Sequence, residues 1–219
     1  MKVILSLLLF VLTTSTYGQV IPSENYTDFL SHGYVLLEEI KGDLNKDGLD
    51  DRVWIIQGSD EELFIEDEYR GTLNRNPRGI LILFQKEQTY EVVLENNTCF
   101  PSDSEDGGVY VAPDLYVTVG KGNLSINFSH GRYGSQKFTF RYQNRDFELI
   151  GYDQTDRFGP VVAKEISINF MTKKKLEREN TFENEEEEVF KETWKNIKVD
   201  RLIKLSEIKD FLELDIGAF

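Results

Sequence analysis

The sequence of 219 residues holds one cysteine, Cys99, and two histidines, His32 and His130. A lone cysteine excludes an internal disulfide, so stability has to come from a packed core. Neither histidine lies near Cys99 in sequence, and the cysteine reads as a buried residue rather than a reactive thiol. Positive charge is scarce: 25 Lys and Arg stand against 39 Asp and Glu, a net charge of −14. Binding to bare nucleic acid is excluded on that ground. No apolar run approaches the roughly 20 residues of a membrane-spanning helix. No repeat of about 20–50 residues is visible either, which weighs against a regular propeller or solenoid. What is present is a hydrophobic share of 40% and an aromatic share of 12%. That is too much apolar surface for a chain that stays disordered.

The first 18 residues read as a secretory signal. Met1-Lys2 gives a positive start, Val3 to Leu12 is apolar, and Thr13 to Gly18 is small or polar, with cleavage expected after Gly18. Residues 19–219 would then form a single exported domain, secreted or periplasmic, one charge more negative for the loss of Lys2. Asn-x-Ser/Thr sequons start at Asn25, Asn96, Asn123 and Asn127. The last two fall within one expected strand, so the sequons read as chance matches.

Pro22-Ser23-Glu24, followed by Tyr26, Phe29 and Leu30, predicts a short N-terminal helix closed by Gly33. The apolar period then switches to two. Strands are expected over Tyr34 to Ile40, Val53 to Ile56, Ile80 to Phe84 and Tyr90 to Leu94. Ile80 to Phe84 is apolar on both faces and reads as a central strand. Between 115 and 150 the alternation is nearly strict: Leu124, Ile126 and Phe128, then Phe138, Phe140 and Tyr142, then Phe147 and Leu149. Short turn-prone links at 120–123 and 143–145 make these strands an antiparallel meander. Ile166, Ile168 and Phe170 add another strand. Residues 173–188 are dominated by charge and read as a solvated loop or tail. Val189 to Val199 fits either period, and Ser206 is positioned to cap a short terminal helix. The fold class is all-β: an antiparallel meander forming a sandwich or strongly curved sheet of about nine to eleven strands, with the short N-terminal helix.

One segment carries metal chemistry. Asp43-Leu44-Asn45-Lys46-Asp47-Gly48-Leu49-Asp50-Asp51 places oxygen ligands at loop positions 1, 3 and 5 and a glycine at position 6. That glycine permits the turn which brings the Leu49 carbonyl inward, and Asp51 at position 9 closes the shell. The expected ligands are Asp43, Asn45, Asp47, Leu49 and Asp51, and the expected ion is calcium. Position 12 is Trp54 where an EF-hand has a bidentate Glu, and a strand follows rather than a helix. The segment instead resembles the Asp-x-Asp-x-Asp-Gly-x-x-Asp calcium loop of FG-GAP repeats in integrin-type propellers, and also the dockerin loop. The likeness covers Gly42 to Ile56 and occurs once where a propeller repeats it, so it implies ligands and not a fold. The competing reading is a metal-free Gly/Asp turn, and the simultaneous match at five positions favours calcium.

Other constellations are weaker. Ser129-His130-Gly131-Arg132-Tyr133-Gly134 joins two strands and could bind an anion or serve acid–base chemistry, but no nucleophile or second base pairs with His130 in sequence. Asp103, Glu105 and Asp106 match no ligand spacing. Tyr110, Tyr116 and Tyr133 would suggest glycan or peptide binding if they clustered on the surface. The expected function is therefore a non-enzymatic envelope or extracellular interaction protein stabilised by calcium, with a cationic protein or a glycan as partner. The alternative is a secreted hydrolase of glycans or peptides using carboxylates and His130.

Overall fold

The computed structural model describes residues 21–22, 28–104, 112–182, 188–214, 216 and 219. The segment read as an export signal lies outside them. The chain is all-β, with fourteen strands among the described residues. A five-stranded antiparallel sheet has the order β1-β7-β6-β3-β2. Its members are β1 (Ile21–Pro22), β2 (Tyr34–Gly42), β3 (Asp51–Gly58), β6 (Arg78–Lys86) and β7 (Thr89–Phe100). A small hairpin of β4 (Phe64–Asp67) and β5 (Gly71–Asn74) links β3 to β6. The rest of the chain forms a seven-stranded meander in simple sequence order. It comprises β8 (Asp114–Gly120), β9 (Asn123–Ser129), β10 (Gly134–Gln143), β11 (Asp146–Phe158), β12 (Val161–Asn169), β13 (Lys174–Asn180) and β14 (Phe190–Asn196).

Period-two burial explains why the two sheets pack. Leu124, Ile126, Phe128, Phe138 and Phe140 from the meander meet Val53, Ile55, Ile80 and Ile82 from the five-stranded sheet in one core. β6 is central, as its two apolar faces require, and pairs with both β3 and β7. Its other face, with Trp54 and Ile56 of β3, forms a second cluster under Phe29. The ring of Phe29 meets that of Trp54 edge-on at 6.1 Å. The meander's tight links use left-handed backbone at Lys121-Gly122 and Asn144-Arg145, the conformation that matches the twist of a two-residue hairpin.

Three expectations differ from what forms. The predicted N-terminal helix is not shown: residues 23–27 lie outside the described ones, and 28–33 run through turns into β2. The charged stretch predicted as a loop over 173–188 contains β13, and the ambiguous stretch after it contains β14. β14 forms the edge of the sheet and β13 lies next to it, and there cross-strand charge pairs take the place of an apolar face. Arg178 stands opposite Glu165 on one side and Glu192 on the other, bonded to both. At the C-terminal end, Leu205–Glu207 is a single 3-10 turn rather than a helix capped by Ser206. The Ser206 hydroxyl donates instead to the Asp146 carboxylate at 2.5 Å.

Candidate functional site

The Asp43–Asp51 loop joins β2 to β3 at the end of the molecule that carries the β8–β9 turn, where the Lys46 side chain lies against Gly122. Gly48 has φ +88°, so position 6 takes the left-handed conformation that favours glycine. The loop winds around its own carboxylates. Asp43 Oδ1 accepts from the backbone N–H of Lys46 (2.5 Å) and Asp47 (3.2 Å), and its Oδ2 from Gly48 (3.0 Å). Asp47 accepts from Leu49 N–H and from the Asn45 amide, both at 2.9 Å. These two donors hold the Asp47 carboxyl below its ordinary range.

Asp51 has a different place. It is fully buried, and its Oδ2 accepts from Leu44 N–H at 2.8 Å and Asn45 N–H at 3.4 Å. Its Oδ1 accepts from Gln85 N–H at the end of β6, at 3.1 Å. Burial pushes the Asp51 carboxyl up against the pull of these N–H groups. The structure thus brings Asp43, Asn45 and Asp47 together on the outer side, sets Leu49 on the exposed crest through its N–H to Asp47, and turns Asp51 inward as a clamp. Among the described residues no three His, Cys, Asp or Glu side chains converge closely enough to hold a metal ion. The oxygen donors the loop offers together are two carboxylates and one amide, hard ligands of the kind calcium takes. The clamp depends on Gln85, 34 residues away, and nothing in the local motif pointed to it.

The opposite end of the meander holds a cleft of about 670 Å³. The His130–Tyr133 turn forms one wall, with Asp114 of β8 beside it, and Gln136, Gln154 and Asp156 line it from β10 and β11. Gly134 closes the turn. Its φ is +129°, and a Cβ there would lie 1.8 Å from the Thr155 carbonyl oxygen, so β10 and β11 approach as closely as they do only with glycine at this point. His130 N–H donates to the Gly134 carbonyl at 2.9 Å. Arg132 reaches the Tyr133 hydroxyl at 2.9 Å with its guanidinium 5.0 Å from the ring centre.

A polar chain runs from the core into this cleft. The hydroxyl of Tyr152, itself buried, donates to Gln154 Oε1 at 2.7 Å, and Gln154 Nε2 donates to Asp156 Oδ1 at 2.8 Å. Burial pushes the Tyr152 phenol up to about 12, so at neutral pH it remains a donor. Sequence reasoning singled out His130, Arg132 and Tyr133 on their loop. It missed Gln136, Gln154 and Asp156, whose only signal was polarity on strands otherwise apolar toward the core.

The remaining candidates fall elsewhere. Tyr116 is exposed on β8, while Tyr110, Glu105 and Asp106 lie outside the described residues. Cys99 is buried and burial raises its thiol, which makes it a structural residue. Asparagines of three sequons serve the fold: Asn96 donates to Leu205 and Ile208 carbonyls, Asn123 accepts from Arg141, and Asn127 donates to the Tyr116 carbonyl. Comparison of the chain with protein families, with curated proteins and with solved structures finds no match.

Proposed function

We propose that the protein is an exported β-sandwich domain, stabilised by calcium at the Asp43–Asp51 loop, that acts by binding an extracellular or envelope partner. One observation carries this reading: the loop is wound with Asp43, Asn45 and Asp47 on one accessible side of a glycine-turned coil. In this reading Asp43, Asn45 and Asp47 hold the ion, with the Leu49 carbonyl able to join them. Asp51 supports the loop from within. When bound, calcium supplies a divalent charge that offsets the repulsion between the paired carboxylates. An affinity on the order of 10⁻⁴ to 10⁻³ M fits so few charged ligands, as in other extracellular modules. The full chain's net charge of −14, one unit more negative once the signal is removed, favours a cationic partner and faster encounter with it. Among the described residues no helix is long and apolar enough to cross a membrane.

The test is a thermal melt in excess chelator, in millimolar calcium and in millimolar magnesium. A rise of midpoint specific to calcium is expected. Identical midpoints in all three would remove the metal from this account.

A second reading has an observation behind it, because the cleft gathers His130 with Asp114 and Asp156. A hydrolase of glycans or peptides would use such groups as acid and base. It ranks second because no side-chain hydrogen bond or ion pair orients His130 among the described residues. Turnover of labelled oligosaccharides or peptides that disappears in His130→Ala would move it to first.

A further inference from the structure

We infer that the cleft between the His130–Tyr133 turn and β11 is a binding site for a neutral saccharide. The inference goes beyond the proposed binding role and gives the domain a ligand of its own at a second place. The argument is one of matching chemistry. A small anion entering the cleft would face the carboxylates of Asp114 and Asp156, and a small cation would face the Arg132 guanidinium. A polyhydroxylated neutral ligand meets neither penalty, because each of its hydroxyls both donates and accepts. Gln136 and Gln154 offer both roles from adjacent strands, and Asp156 adds an acceptor.

Orientation is supplied before any ligand arrives. Gln154 is held at its oxygen by the Tyr152 hydroxyl and at its nitrogen by Asp156. Tyr152 in turn is anchored in the core between Phe138 and its own strand, with ring centres 5.0 Å apart. The polar row therefore projects from a rigid sheet and needs little ordering on binding. Tyr133, 43% exposed at the mouth, presents an aromatic body with a polar tip, the kind of surface on which a sugar's C–H face packs. The volume lies in the range of small-ligand sites. The site is at the far end of the meander from the Asp43–Asp51 loop, so ion binding and sugar binding can be scored separately.

Isothermal titration of the purified protein with hexasaccharides of glucose, mannose and N-acetylglucosamine tests it, with hexagalacturonate and hexalysine as charged comparators. At least one neutral hexasaccharide should saturate the protein. Gln154→Ala and Tyr133→Ala should each weaken it by about tenfold or more, and the melting midpoint of each variant is measured alongside so that loss of binding is scored on folded protein only. Absence of binding by every neutral probe would overturn the inference. So would binding that both variants leave intact, or saturation by hexalysine or hexagalacturonate alone. The titrations are repeated in chelator. Sugar binding without a calcium-dependent melt keeps the cleft and removes the metal, while a calcium-dependent melt without sugar binding does the reverse.

Discussion

The carboxylate of Asp51 accepts the backbone N–H of Leu44 at 2.8 Å, and with its other oxygen it reaches Gln85 at 3.1 Å. The last acidic position of the loop is therefore a bolt between the loop and β6. Leu44 beside it is buried in the core shared by both sheets. Removing the bolt strands N–H groups that burial keeps from water, at a cost of about 1–3 kcal/mol. Asp51→Ala is expected to lower the unfolding free energy by that amount in calcium and in chelator alike. Asp47→Ala, on the outer side, is expected to lower it in calcium only. Urea unfolding of both variants under the two conditions separates the bolt from the proposed calcium ligand.

Asn96 holds the C-terminal segment. Its amide donates to the carbonyl of Leu205 at 2.9 Å and of Ile208 at 2.7 Å, while Phe211 N–H donates to the Cys99 carbonyl nearby. Asn96→Ala should cost about 1–3 kcal/mol, since two acceptors lose one donor group. Hydrogen exchange at the Phe211 amide should accelerate more than exchange in β6. Equal acceleration at the two places would mean the segment does not loosen by itself.

How far the sequence reveals all this depends on how local each signal is. Alternation through Leu124, Ile126, Phe128 and then Phe138, Phe140 identifies strands because every second residue faces the core. The same reasoning places β6 at the centre of its sheet. It fails for β13, where Lys175, Glu177 and Glu179 leave no apolar face to read. What holds that strand is a set of charge pairs: Lys175 with Glu177 along it, Lys195 of β14 with Glu177, and Lys164 of β12 with Glu179. The grouping of Asp43, Asn45 and Asp47 on one side of their loop was legible as a spacing, whereas the inward turn of Asp51 and the Tyr152–Gln154–Asp156 chain need the register of distant strands.

Phe211 is the clearest case of an unreadable core residue. It lies in the stretch expected to form a short terminal helix, and nothing in that local pattern says which sheet it packs into. Its ring stacks on Phe100 at 5.2 Å and lies 5.0 Å from Phe138, with Phe128 at 5.8 Å. Phe211→Ala would open a cavity among aromatic rings on rigid strands, where collapse is limited, and should cost about 3–5 kcal/mol. Phe211→Leu should recover a good part of that loss. Denaturant midpoints of the pair check the assignment, and a negligible effect of the alanine variant would show that the segment does not plug the core.

Glu177 on β13 gives the fold a dependence on pH. Lys195 at 2.6 Å and Lys175 at 3.0 Å bond its carboxylate and hold it down to about 2. An unfolded glutamate titrates near 4.3, roughly. The folded value is the lower one, so the contribution is fully present above the unfolded value and is lost as pH falls toward the folded one. Glu177→Gln should therefore melt below the parent at pH 6, with the gap closing between about pH 4.5 and 2. The Lys195 partner is more than half exposed, so added salt should shrink the gap at pH 6 as it screens the pair. Melting curves of both proteins across that range, at low and high salt, decide the matter. A gap that stays constant with pH would mean that the two lysines do not shift the carboxylate in the folded state.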